Sequence, residues 1–357
     1  MKGDLINAIG LMSGTSIDGL DIVAVKFSNK DLHKFELVHS ETISYSEYWV
    51  QRLQNAIDLD TAQIADLHYE YGVFLGNETK NFIQKNQITD IDFIASHGHT
   101  VFHQPAKGIT VQVGDGQQIA DLTNCIVVSD FRTQDVLFGG QGAPLVPIGD
   151  QLLFSEYDAC VNLGGFANIS FQNNLQRIAF DICPMNIVLN HYCRKNMGVD
   201  YDDKGIFSSQ GNIDEKLLAA LNHLPYYQMK PPKSLGLEWV NEFVFSMLDR
   251  ESLETLTILR TFSEHIIQQI SRVIVSFDKV LLTGGGAYND FIIQKIKESS
   301  PSQIIIPSNA IINYKEALVF ALLGLLKMQG KVNCLSSVTG AKKNHSSGTI
   351  FHPNISI

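Results

Sequence analysis

The stretch from Asn7 to Phe27, NAIGLMSGTSIDGLDIVAVKF, constrains the fold more than any other. Its apolar, β-branched flanks predict strands at Ala8–Met12 and Ile22–Phe27, joined by a tight polar turn. Gly14 and Gly19 are expected to supply the backbone angles this connection needs. The turn offers backbone N–H groups, the hydroxyls of Ser13, Thr15 and Ser16, and the carboxylates of Asp18 and Asp21. Such a set suits a nucleotide's phosphate tail, with a carboxylate for the accompanying Mg²⁺. It is neither a Walker loop, because no GK[ST] follows, nor a dinucleotide fingerprint. An ordinary hairpin with its polar residues in solvent has the same composition.

A chain of 357 residues is long for one core, so two lobes are expected. With 45% hydrophobic and 18% charged residues it reads as soluble and globular. The net charge of −10 and the lack of a basic run argue against nucleic acid or an anionic membrane surface as partner. Five scattered cysteines without CxxC spacing point to a reducing compartment, hence to a cytoplasmic protein without disulfides or structural zinc. The longest apolar run, Ala317–Leu326, is too short to span a bilayer.

Along the chain, Phe35–Ile43 reads as a strand and about Tyr48 to Lys85 as helical, with one apolar face. A buried strand at Ile91–Ala95 runs into SHGHTVFHQP. There His97, His99 and His103 invite a metal reading, but no nearby Cys or Glu completes a site, and a loop lining a substrate cleft is preferred. TVQV and CIVVS read as strands with a helix starting near Gly116 between them. Asp130, Arg132 and Asp135 then lead into a Gly-Gly-Gln-Gly loop. A fixed Arg beside such a loop forks a carboxylate or phosphate, or else pairs with its neighbouring Asp. DACVNLGGFANISF (Asp158–Phe171) repeats the opening theme of strand, glycine turn and strand. AFDICPMN places Asp181 at a strand end before a turn, where a general base belongs. PPKSLGLEW (Pro231–Trp239) brings Lys233 and Ser234 near the cleft, or forms a solvated linker. A long amphipathic helix is expected from about Ser252 to Val275. KVLLTGGGAYN (Lys279–Asn289) is a buried strand running into three glycines and a helix, which lets a ligand lie against backbone. Tyr314–Gly330 reads as a buried helix with Glu316 in its first turn, suited to the helix dipole. The tail, SVTGAKKNHSSGTIFHP, carries no legible chemistry.

MSGTSIDGLD resembles the phosphate loop of the anhydro-N-acetylmuramic acid kinases, which belong to the actin/hexokinase/Hsp70 superfamily, and the resemblance continues along almost the whole chain. It implies an α/β, two-lobed actin/hexokinase-like fold, a duplicated ribonuclease H-like unit with the nucleotide in the interlobe cleft. The first lobe would comprise 1–154 plus 314–357, and the second 155–313. It also implies ATP and Mg²⁺ as cofactors, with Asp18 on the metal. Ser13, Gly14, Thr15, Ser16, Asp18, Gly19 and Asp21 form the first phosphate loop, Gly164, Gly165 and Asn168 the second, and Gly284, Gly285, Gly286 and Asn289 the adenosine contact. His97, Arg132, Asn186 and Glu316 would contact the sugar, and a homodimer is the family's habit. This chain departs from the family's patterns at His99, where Gln is usual, and at Leu237, where Arg is usual. It departs again at Ile182, Cys183 and Met185, which replace Thr and two Gly after Asp181. The larger side chains there are expected to narrow the pocket or force a different turn.

The implied reaction opens the anhydro bridge of 1,6-anhydro-N-acetylmuramic acid with water and phosphorylates O6. Asp181 is the expected base for that water, as in inverting glycoside hydrolysis. The alternatives are a related sugar kinase acting on a free hydroxyl, and a non-catalytic sensor of nucleotide or cell-wall sugar.

Overall fold

The computed structural model describes residues 4–249 and 253–354. The chain divides into two compact units, Met1–Phe154 with Tyr314–Ile357, and Ser155–Asn313. In the first unit β1 (Leu5–Ser13), β2 (Leu20–Ser28) and β3 (Phe35–Ile43) form an antiparallel meander. A helix at Thr61–Lys85 leads to β4 (Phe93–Gln104), which runs parallel to β1. Its start is fixed by a capping box, in which Asp60 accepts from the Gln63 amide and the Gln63 side chain accepts from Asp60 N–H. β5 (Ile109–Val113) folds back on β4, and β6 (Val127–Ser129) continues the parallel side. The last strand of the chain, β12 (Thr349–Phe351), closes the edge on β6.

The second unit repeats this plan. β7 (Ala159–Leu163), β8 (Phe166–Asn173) and β9 (Gln176–Pro184) are antiparallel, and β10 (Lys279–Thr283) and β11 (Gln303–Ile305) extend the sheet in parallel from β7. Across the first sheet the order is β3, β2, β1, β4, β6, with β12 at the edge and β5 paired beside β4, and across the second it is β9, β8, β7, β10, β11, so apart from β5 and β12 the two share one order with the same senses of pairing. That shared order is the ribonuclease H-like sheet, and its repetition makes the chain a duplicated, actin/hexokinase-like α/β protein. The meander strands have short loops, whereas the parallel strands are reached by helical crossovers, as parallel pairing requires.

Several expectations need correcting. The histidine segment is not a loop, because β4 runs through it to Gln104 and spreads its side chains apart. On a strand the spacing of His99 and His103 no longer brings them to one face of a helix turn. β9 likewise continues to Pro184, so Asp181 lies within the strand rather than at its end. The helix carrying Glu316 begins at Asn309, which puts Glu316 in the second turn and removes the helix-dipole role. This helix, Asn309–Met328, has the length and apolarity to cross a membrane, but 67% of its apolar window is buried in the fold. A Cβ at Gly10 would strike the Ala317 carbonyl, and one at Gly324 would strike Phe93 and Ala95, so the helix lies directly on β1 and β4. The helix expected from Ser252 runs over Thr255–Ile274, and Ser252 itself lies outside the described residues.

Candidate active site

In the first unit the turn between β1 and β2 is closed by the Ile17 N–H donating to the Gly14 carbonyl at 3.2 Å. The left-handed residue is not a glycine but Ile17, at φ 55°, a strained position for a β-branched side chain. Gly19 is needed for space instead, since a Cβ there would lie 2.8 Å from the Ile43 carbonyl oxygen. Ser13 does not present its hydroxyl to a ligand. It is buried, accepts from the Tyr45 hydroxyl at 2.7 Å and bonds His99 Nδ1 at 2.8 Å. Burial lowers the His99 pKa to about 4, so the ring is neutral. Thr15, Ser16 and Asp18 are exposed, and the Ser16 hydroxyl donates to Asp18 at 2.9 Å.

Three carboxylates of this unit feel one another. Asp21 is pushed up to about 6, chiefly by burial against a hydrogen bond from Thr42, with Asp18 and Glu316 adding repulsion. Glu316 is also raised, by desolvation first, with Arg132 and Lys315 opposing and Asp18 reinforcing. Its side chain remains exposed, so protein crowds it without sealing it from water. An excess of carboxylates that repel one another is the donor chemistry a hard divalent cation takes. Asp18 and Asp21 therefore fit Mg²⁺.

Arg132 sits at the start of the helix Thr133–Leu137. Its Nε donates to His97 Nε2 at 2.9 Å and its Nη1 to the Gly142 carbonyl at 2.6 Å. His97 in turn bonds the Gly98 carbonyl through Nδ1 at 2.9 Å, and burial beside Arg132 holds its pKa far down, so it acts as a neutral acceptor. Asp135 does not pair with Arg132. Its carboxylate takes the Gly142 amide at 2.7 Å, and among the described residues no carboxylate forms an ion pair with Arg132. Arg132 is thus held in place by uncharged hydrogen-bond partners, with Glu316 and Asp135 favouring its charge through space, and such a fixed guanidinium suits an anionic or carboxylate-bearing ligand.

The second unit gathers its own group on β8 and β9. Asp181 is the cross-strand partner of Asn168. Its Oδ2 accepts the Leu235 amide at 2.8 Å, and its carbonyl accepts the Tyr226 hydroxyl at 2.6 Å. Burial raises the Asp181 pKa, only partly offset by the Leu235 bond. The segment at 231–235 is therefore folded onto Asp181 and is not a free linker. Lys233 lies 4.5 Å above the Tyr226 ring and donates to the Tyr226 carbonyl at 3.2 Å. Neither Tyr226 nor the Leu235 amide was visible as a site group in the sequence; only the PPKS stretch signalled them.

A bulge at this point explains the departures after Asp181. Asn168 pairs with Asp181 while Ala167 pairs with Cys183, so Ile182 is the extra residue. Ile182, Cys183 and Met185 then all turn into the unit's core, each 2% exposed or less. They line that core, so their bulk is taken up inside the unit. Gly164 and Gly165 form the β7–β8 turn, where the Gly165 carbonyl accepts the Met185 and Ile187 amides and Gly164 accepts Asn186 N–H. The Asn186 side chain donates to the Leu163 carbonyl at 3.1 Å, a structural duty. Gly284 is left-handed at φ 83°, and a Cβ at Gly286 would strike the Met185 side chain. A Cβ at Gly285 would meet nothing within 4 Å, so this glycine keeps an open backbone surface of the kind a flat ligand covers. Asn289 caps the helix Asp290–Ser299 by accepting the Ile292 amide at 3.0 Å, so its side chain is already engaged.

The family model for anhydro-N-acetylmuramic acid kinase matches residues 6–353. The chain belongs to the anhydro-N-acetylmuramic acid kinase family. Among the relatives of that name, the one from Bacillus cereus (strain Q1) is 32% identical over 97% of this chain and 99% of its own. That from Bacillus thuringiensis subsp. konkukian is 31% identical over the same shares. Solved structures are more distant. The activator of the 2-hydroxyisocaproyl-CoA dehydratase from Clostridium difficile with bound ADPNP shares 16% identity over 89% of this chain and 93% of that one, at a TM-score of 0.44. A ligand-bound xylulose kinase from Lactobacillus acidophilus shares 12% over 98% and 94%, at 0.43. Family membership does not depend on these two likenesses.

Proposed function

We infer that this chain carries out the reaction its family is named for. It is a sugar kinase that converts 1,6-anhydro-N-acetylmuramic acid, ATP and water to N-acetylmuramic acid 6-phosphate and ADP. The observation that carries the reading is Asp181, half-buried, fixed by the Leu235 amide and raised in pKa, within a chain matched to the family end to end.

In the proposed sequence Asp181 takes a proton from a water that attacks C1 of the sugar. The C1–O6 bond breaks as the C1–OH bond forms, and O6 leaves towards the γ-phosphorus, displacing ADP. A base with an elevated pKa suits this step, because proton transfer is most effective when the base titrates near the working pH. Arg132 and Glu316 orient the sugar, with Arg132 the natural partner of its carboxylate. Amides of Gly14, Thr15 and Ser16 hold phosphate oxygens, with Gly164 and Gly165 as a second set and Gly284–Gly286 under the adenosine. Mg²⁺ held by Asp18, with Asp21 beside it, would neutralise charge developing on the phosphates. A cytoplasmic location suits the need for ATP and five cysteines of which none forms a disulfide. A homodimer is proposed from family resemblance alone.

The test is ADP release from Mg-ATP with the anhydro sugar, N-acetylmuramic acid or N-acetylglucosamine, in water enriched in ¹⁸O. Turnover with the anhydro sugar, with one ¹⁸O at C1 of the product, is expected. Turnover only with a free sugar overturns the coupled hydrolysis and leaves a simple hexose-type kinase.

A further inference from the structure

Away from Asp18 and Asp181, the first unit contains a cluster that the proposed reaction does not use. Asp135, Cys334 and His345 each offer a ligand atom, all within 4.8 Å of one another, and all three side chains are buried. They come from two distant stretches. Asp135 lies in the helix behind Arg132, while Cys334 and His345 face each other in the C-terminal segment, exchanging backbone hydrogen bonds at 3.1 and 3.2 Å.

The histidine is the informative member. Its Nδ1 lies 3.1 Å from the Lys343 carbonyl oxygen, a contact in which only a protonated Nδ1 can take part. Nε2 of the neutral ring then carries a lone pair. It is buried without a hydrogen-bond partner and points at the Asp135 carboxylate, itself an acceptor. The Nε2–Oδ1 separation is 3.5 Å, beyond ordinary hydrogen-bond range. It matches the edge of a tetrahedron around a zinc ion with bonds of about 2.1 Å, since that edge is about 1.6 bond lengths, or roughly 3.4 Å.

We propose that Asp135, Cys334 and His345 bind one zinc ion, with water in the fourth position, and that this ion clips the C-terminal segment to the loop that holds Arg132. Soft sulfur, imidazole nitrogen and a carboxylate are a zinc donor set. Two of the three ligands are anionic in the complex, so the dication is neutralised and adds no net charge near Arg132. The outer contacts are those a zinc site uses to aim its ligands. The Lys343 carbonyl fixes the imidazole, and the Thr339 hydroxyl and Gly142 amide hold the carboxylate at 2.7 Å each. Gly142 also accepts from Arg132, which links the clip to the sugar-side residues.

The full chain, purified without chelator from zinc-supplemented cells, is assayed for bound metal by mass spectrometry. About one zinc per chain is expected, as a site with three protein ligands holds it. His345→Gln and Cys334→Ser should each weaken zinc affinity by about 100-fold or more, the upper end of what losing an outer-shell partner costs. Cys125→Ser, outside the cluster, should leave it unchanged. Cobalt exchanged into the wild type should show a thiolate charge-transfer band, which reports Cys334 even if its serine variant fails to fold. Folded wild type with no zinc above background and no cobalt band overturns the proposal. So does zinc content that survives His345→Gln. Neither readout uses sugar phosphorylation, so this test and that of the proposed function fail separately.

Discussion

Replacing Asp181 by Asn separates its chemical role from its structural one. The amide oxygen can still accept the Leu235 N–H, now 2.8 Å from Oδ2, and the Tyr226 hydroxyl bonds the backbone carbonyl, which is unchanged. Burial already disfavours the ionised carboxyl, so removing the charge should leave the melting temperature unchanged or slightly higher. A positioned general base contributes about 10²- to 10⁴-fold, or roughly 3–5 kcal/mol at about 1.4 kcal/mol per decade. Turnover with the anhydro sugar should fall by that factor while ATP binding, followed by calorimetry, is retained. The pH profile supplies a second readout. Wild-type activity should fall with acid through a pKa above the ordinary carboxylate range, because the base must be unprotonated, and the residual activity of the variant should lack that limb. Activity within about tenfold of wild type would refute the base assignment, since no general-base term of the usual size would be missing.

Asp21→Asn should stabilise the ligand-free protein as pH rises. The folded carboxyl titrates near 6 against an ordinary 3.8, so the native state holds its proton more tightly and the penalty for ionisation develops between those values. Two pH units set a ceiling of about 3 kcal/mol, and partial exposure reduces this to about 1 kcal/mol, read as the urea-unfolding difference between variant and wild type at pH 7 against pH 4. An equal difference at both pH values would contradict it. Met185→Ala should destabilise the protein by about 2–5 kcal/mol, the range for truncating a buried methionine, without changing the KM for sugar. A raised KM at unchanged stability would return Met185 to the pocket wall.

What was legible in the sequence was periodic. The two strand–turn–strand units, the helix ending at Lys85 and the β10 glycine turn follow from alternation, three- and four-residue apolar spacing and glycine placement, although the stretch read as helical from about Tyr48 breaks before a new helix starts at Thr61. What was not legible depended on tertiary partners. The histidine segment looked like a loop because it is polar and contains Gly98, yet β1 on one side and β5 on the other make it a strand. Gly14 and Gly19 looked like the conformational hinges, whereas the left-handed residue is Ile17, a position propensity would never assign to it. Ser13 read as a phosphate ligand by type, but its hydroxyl turns inward to Tyr45 and His99, partners 32 and 86 residues away in sequence. The tail offered no pattern because its His345 meets Cys334 and Asp135 only in the folded chain.

The departures from the family's patterns divide along the same line. Ile182, Cys183 and Met185 turn into a core, and a one-residue bulge is what sends them there while Asp181 keeps its outward face. His99 is 3% exposed and bonded to Ser13, so it supports the β1–β2 turn from beneath. Its low pKa keeps it neutral, and a neutral ring bonded through Nδ1 does what a side-chain amide would do there. Four of the five differences therefore alter the scaffold and conserve the chemistry it presents. Leu237 is the exception. It is 49% exposed, two residues beyond the amide that holds Asp181, and it places an apolar side chain where the resemblance leads one to expect a guanidinium. Among these five, Leu237 is therefore the departure expected to shift sugar preference, and a KM for the anhydro sugar unchanged by Leu237→Arg would remove it from that role.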